Sequence, residues 1–251
     1  MMVLGYRFSA VHMIVGALVL VGAQTSARSA FAEEGFYVGL NGGMNWLNAG
    51  DGDTETAGAG HSGSLSDVEG DHGSLLGGVA GYKFSDLWRA DISYTRLNNK
   101  LDWQGVFPGG GVNSAFTSDA SSDVVLLNGY LHAKGFDKDT FATFDPFIGA
   151  GIGFTSNRLT HIVESNASTG AFEADIRDGK KIHPAFRLGV GLDANIAPSL
   201  TLTSSLDAYW LSGFETGDSR VQKTSGFQNI GAWQTKDAVS VGISIGLRYA
   251  F

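Results

Sequence analysis

Seven charged residues stand on the polar side of segments that otherwise alternate apolar and small residues: Lys83, Arg89, Arg187 and Arg248 with Asp91, Asp193 and Asp207. If these segments are strands of one sheet, period-2 geometry turns all seven the same way. Such charges in a narrow interior must pair, because an isolated buried charge is very costly. Two chemistries follow. One is a structural salt-bridge plug, the reading adopted here; the other is an ion-selective constriction.

Other candidates carry less. Residues 50–73 contain Asp51, Asp53, Glu55, Asp67, Glu69 and Asp71 and neither Lys nor Arg. Residues 51–55 begin like a calcium loop, but the spacing beyond departs from the twelve-residue ligand pattern. A solvated, mobile acidic loop is the reading, with divalent-ion bridging to an anionic lipid as the minor alternative. Gly149-x-Gly151-x-Gly153 and Gly189-x-Gly191 fail the dinucleotide fingerprint, since no glycine sits three after Gly151 and no helix signal follows. They are read as interior glycines that leave room for large neighbours. The histidines are scattered, without a pair at metal-ligand spacing, so neither metal nor cofactor is expected. Asn166-Ala167-Ser168 fits a glycosylation sequon and is discounted. His61-Ser62 lies in a glycine-rich stretch rather than on a strand, and no enzyme is expected.

The elements that must position the charges are strands. In residues 239–251, Val239, Val241, Ile243, Ile245, Leu247, Tyr249 and Phe251 alternate strictly with Ser240, Gly242, Ser244, Gly246, Arg248 and Ala250. That exceeds the ~9–11 tilted residues needed to cross a bilayer. Comparable segments cover 36–47, 75–84, 88–96, 124–133, 146–154, 184–194 and 200–210. Short connections fall at 85–87 and 195–199, with a somewhat longer one at 136–145. Long ones fall at 50–73, 106–122, 159–181 and 213–235. The pattern predicts an all-β fold, an eight-stranded antiparallel transmembrane β-barrel with short periplasmic turns and long external loops. A β-sandwich gives no reason for the long–short alternation.

Arg7 and His12 precede an apolar run over 13–23 and a small-x-small site at Ala30-Phe31-Ala32, which reads as a cleaved secretory signal over residues 1–32. The barrel domain then occupies 33–251. Removal of 1–32 takes Arg7 and Arg28 but no acid, so the net charge moves from −8 to −10. An acidic balance argues against nucleic acid as a partner. Cysteine is absent, so no disulfide framework is available.

Residues 35–43 (GFYVGLNGG), 77–84 (GGVAGYKF), 87–97 (LWRADISYTRL), 126–133 (LLNGYLHA), 145–154 (DPFIGAGIGF), 186–196 (FRLGVGLDANI) and 243–251 (ISIGLRYAF) resemble, in this order, the small outer-membrane β-barrel family of Gram-negative bacteria, which includes surface-antigen and opacity-type porin-like proteins. The resemblance implies an eight-stranded barrel in the outer membrane, contacting lipid and lipopolysaccharide, and implies no single activity. Leu247, Tyr249 and Phe251 resemble the signal read by the barrel-assembly machinery. The functional expectation is a non-enzymatic, structural or adhesin- and antigen-like barrel, monomeric, whose external loops meet a host or envelope partner. The alternative is a narrow passive channel for small solutes; a lipid-modifying enzyme ranks last.

Overall fold

The computed structural model describes residues 34–54, 63–106, 112–222 and 226–251. The expected signal segment, Glu55 and His61-Ser62 lie outside the described residues. The strands are β1 (Gly35–Thr54), β2 (Ser64–Gly70), β3 (His72–Lys83), β4 (Trp88–Val106), β5 (Val112–His132), β6 (Phe144–Asn166), β7 (Phe172–Ile176), β8 (Gly179–Ala197), β9 (Leu200–Ser212), β10 (Ser219–Gln222), β11 (Gly226–Asn229) and β12 (Trp233–Ala250). Eight of them close a ring in the order β1, β3, β4, β5, β6, β8, β9, β12 and back to β1, every pair antiparallel. Closure satisfies the backbone without an edge, which a chain surrounded by hydrocarbon requires. The last strand seals against the first, with Val38 opposite Tyr249 and Trp46 opposite Val241. Phe251 N donates to Phe36 O at 3.0 Å.

The alternation sets which face meets lipid. Ile245 is 62% exposed while its neighbour Ser244 is 4% exposed. Outward-facing Trp46, Phe154, Phe186 and Trp210 form one aromatic girdle, and Phe36, Phe84, Trp88, Phe144 and Phe251 form the other. On β6 the ten steps from Phe144 to Phe154 span ~34 Å of strand. At a tilt of ~40° this projects to ~26 Å, the height of a typical lipid-facing band.

The stretches expected as long loops are largely strand. β1 runs to Thr54, β4 to Val106 and β6 to Asn166, while β2, β7, β10 and β11 complete a sheet-built rim beyond the membrane. Asp51 and Asp53 lie on β1, and Asp67 and Glu69 on β2, so these four acids project from strands rather than from a mobile loop. The cause is visible along β4. Arg89, Asp91, Ser93 and Thr95 are buried in the interior, and so are Leu97, Leu101 and Trp103 on the same side; Trp88 and Ile92 point out, and so do Lys100 and Asp102. Period 2 persists while its polarity inverts. Within the membrane the surroundings are hydrocarbon, so apolar groups face out; beyond it they are water, so apolar groups face in.

The inverted half has its own core. Trp103 stacks on Phe116 with ring centroids 5.2 Å apart, and Phe116 lies 5.1 Å from Trp233. Leu65, Leu97, Leu101, Leu159, Ile162 and Leu211 pack in the same buried cluster. His161 adopts φ +52. The β5–β6 register slips there, so Leu159 and Ile162 both turn inward.

Candidate functional site: the barrel lumen

Inward parity and the barrel stagger bring six of the seven sequence-read charges into one buried layer toward the periplasmic end. Arg89 Nη1 lies 3.6 Å from Asp91 Oδ2, and Arg187 Nη2 lies 2.5 Å from Asp207 Oδ1. Arg248 Nη2 donates to Asp193 Oδ2. Lys83 is the exception. It sits at the periplasmic mouth, where its Nζ is 2.8 Å from Asp86. Lys138 Nζ reaches the same carboxylate at 2.6 Å.

The pairs are embedded in a hydrogen-bonded shell. Asp91 accepts from the Tyr37 hydroxyl (2.8 Å), Asn128 Nδ2 (2.8 Å) and the Tyr130 hydroxyl (3.3 Å). Arg89 Nε donates to His132 Nε2 at 2.8 Å, which leaves Nδ1 as the protonated nitrogen facing Asp145 at 2.9 Å. The Arg89 guanidinium lies 3.7 Å from the Tyr130 ring centroid and 4.9 Å from that of Phe147. Thr203 donates to Asp193 and Ser205 to Asp207. Glycine makes room for this layer: a Cβ on Gly189 would run into the Asp207 carboxylate, and one on Gly151 into the Asn128 amide.

Two cavities flank the ions. One of about 60 Å³ lies within the layer, against Asp91, Arg187, Ser205 and Ser244. The other, about 320 Å³, opens at the periplasmic mouth between Lys83, Asp86, Arg89, His132, Asp145 and Arg248. Beyond the ions the interior passes through Asn45, Asn157 and Ser240 into the apolar cluster. That cluster is capped by buried Glu164, which accepts from Arg220 Nη1 at 2.9 Å and from Ser114 Oγ at 2.9 Å.

At the mouth, burial works to raise the Asp86 carboxyl, but hydrogen bonds from Lys138 and Lys83 outweigh it and bring the pKa down to about 2. Among the described residues no group of three or more His, Asp or Glu gathers as a cation site. Asn166 of the sequon spends its side-chain oxygen on the backbone N–H groups of Ser168 and Thr169, which builds the turn after β6. Leu247, Tyr249 and Phe251 form an outward ridge, the two rings edge-on at 5.3 Å.

Sequence reading missed Asp86, Asp145, Lys138 and the Glu164–Arg220 pair. Asp86 and Lys138 lie in turns, outside any alternating segment; Asp145 lies at the start of β6, one residue before the stretch read as a strand; Glu164 and Arg220 lie in the rim.

The family description "Outer membrane protein beta-barrel domain" matches residues 13–251. Among solved structures, the chain is similar to Neisserial surface protein A at 16% identity, covering 86% of this chain and 97% of that one, with a TM-score of 0.44. It is similar to OprG from Pseudomonas aeruginosa at 15% identity, with 86% and 97% coverage and a TM-score of 0.46. The outer membrane protease OmpT from Escherichia coli is similar at 8% identity, with 87% and 94% coverage and a TM-score of 0.46. No curated protein matches. With the family matched over nearly its whole length and a closed ring bearing a lipid-facing band, the chain belongs to the outer membrane protein β-barrel family and resides in the outer membrane.

Proposed function

We propose that this protein is a non-enzymatic, non-conducting surface barrel: the ion layer is a structural plug, and the sheet-built rim is the part that meets partners outside the cell. The observation that carries this reading is the filled interior. Paired Arg and Asp groups and aromatic rings occupy the periplasmic half, and the Trp103–Phe116–Trp233 cluster occupies the external half. Eight strands enclose an interior of side-chain width, whereas water-filled channels belong to barrels of ~16–18 strands. A narrow solute channel would need a continuous polar path, and the apolar cluster lies across it. In the same reading residues 1–32 are the export signal, and the Leu247–Tyr249–Phe251 ridge serves the barrel-assembly machinery.

The test is conductance of the refolded protein in a planar bilayer. The expected trace is flat. Large, steady single-channel steps would overturn the plug and reinstate the channel.

A further inference from the structure

The periplasmic mouth carries a cationic pocket in an otherwise acidic chain. The whole sequence has 17 basic and 25 acidic side chains. The cavity of about 320 Å³ at the mouth has the opposite balance: Lys83, Arg89, Lys134, Lys138 and Arg248 line it against Asp86, Asp145 and Asp193. Asp91 faces Arg89 from the layer above, and counting it still leaves five cations against four acids. Three connections shape the wall, with Asp86 from β3–β4, Lys134 and Lys138 from β5–β6, and Ser199 from β8–β9.

The pocket's carboxylates are already committed. Asp86 holds Lys83 and Lys138. Asp145 accepts from the Lys134 backbone N–H at 2.9 Å and faces the His132 ring at 2.9 Å. Asp193 accepts from Arg248 Nη2 and from the Thr203 hydroxyl. Two cationic groups are left over. The Lys134 ammonium pairs with no carboxylate among the described residues and acts on Asp86 only at longer range. Arg248 Nη1 is buried and has no hydrogen-bond partner among the described residues. A buried charged donor without an acceptor is costly, and an acceptor from outside the chain would relieve it.

Pockets of ~300 Å³ and upward hold small organic molecules. A guanidinium and an ammonium in one pocket match an oxyanion, either a carboxylate or a phosphate. The rest of the wall suits a short polar body, since Asn195, Ser199 and Thr201 bring hydrogen-bonding groups and Tyr37 and Pro198 bring rings. We propose that the mouth is a binding site for a small organic anion, bearing a carboxylate or a phosphate, that enters from the periplasm and is held by Lys134 and Arg248. The inference goes beyond the surface role and rests on the pocket's own lining, so it stands or falls separately from conductance.

The test is isothermal titration calorimetry of the full refolded chain in zwitterionic micelles against succinate, glycerol phosphate, inorganic phosphate and chloride. Succinate or glycerol phosphate should bind saturably, and whichever binds more tightly assigns the headgroup. Lys134→Ala should weaken that binding by about tenfold, the lower end for loss of one charged hydrogen bond. Arg248→Lys keeps a cation for Asp193 while removing the second guanidinium nitrogen, and should weaken binding by a similar factor. Lys236→Ala, whose lysine is paired with Asp53, should bind as the wild type does. Electrophoretic mobility of unheated samples reports whether each variant is folded; Lys134 lies in a connection, so its variant keeps the test open if Arg248→Lys does not fold. Absence of saturable binding by both organic anions, or either folded variant binding as the wild type does, would overturn the site. Inorganic phosphate or chloride binding as tightly as the organic anions would reduce it to a simple ion site and overturn the organic assignment.

Discussion

Asp193→Ala tests whether the ion layer holds the barrel together. The Asp193 carboxylate is 4% exposed, accepts from Arg248 and from Thr203, and lies 3.9 Å from His132. Removing it strands Arg248, whose Nη1 already has no hydrogen-bond partner among the described residues. Breaking a buried pair from one side costs ~3–5 kcal/mol, because the remaining charge is left uncompensated. Here the periplasmic cavity of about 320 Å³ touches both residues. Water admitted there brings the cost toward the lower end, about 3 kcal/mol. The assay is urea-dependent folding into lipid vesicles, followed by tryptophan fluorescence and by electrophoretic mobility of unheated samples. Asp193→Ala/Arg248→Met should recover most of the loss, since an apolar replacement of the whole pair is often neutral. A single-variant loss under 1 kcal/mol, or a double variant no better than the single, would refute the structural role. Stability unchanged with steady, anion-preferring conductance would instead mark the layer as a pore constriction.

Three further outcomes follow. Leu101→Ala should cost ~2–5 kcal/mol in the same assay although Leu101 lies beyond the membrane, since it is fully buried in the rim core; a loss under 1 kcal/mol would mean that the rim is not packed. Asp86, with its carboxyl held near 2 against an ordinary 3.8, contributes stability that is present above pH ~4 and is lost as pH falls toward 2. With its lysine partners partly exposed, the contribution is about 1 kcal/mol, so Asp86→Asn should flatten the acid limb between pH 5 and pH 2 by that amount. An epitope inserted at Gly170, where φ is +69 and the surroundings are open, should be reached by antibody on intact cells, whereas one at Ser199 should not; the reverse would invert the topology.

How much was legible depended on the surroundings each residue faces. Period-2 alternation from Phe36 onward is a local property, so the eight crossing strands, their lipid faces and the inward direction of Arg89, Asp91, Arg187, Asp193, Asp207 and Arg248 could be read from residue order alone. The rim could not be read in the same way. A search for apolar residues facing outward ends near Tyr94, where water replaces hydrocarbon and Leu97, Leu101 and Trp103 take the opposite face.

Partner choice also escaped the sequence. Arg89 and Asp91 are two apart on one strand, a local pair. Arg187 meets Asp207 diagonally across β8 and β9. Arg248 on β12 reaches Asp193 on β8 over the intervening β9. Lys83 meets Asp86 only because the β3–β4 turn folds the carboxylate back over the mouth. Residue order by itself determined which side of each strand is polar, because neighbouring Cβ atoms must point opposite ways. Which charges touch across strands was decided only in the folded sheet, because the stagger between strands sets the heights at which side chains from different strands meet.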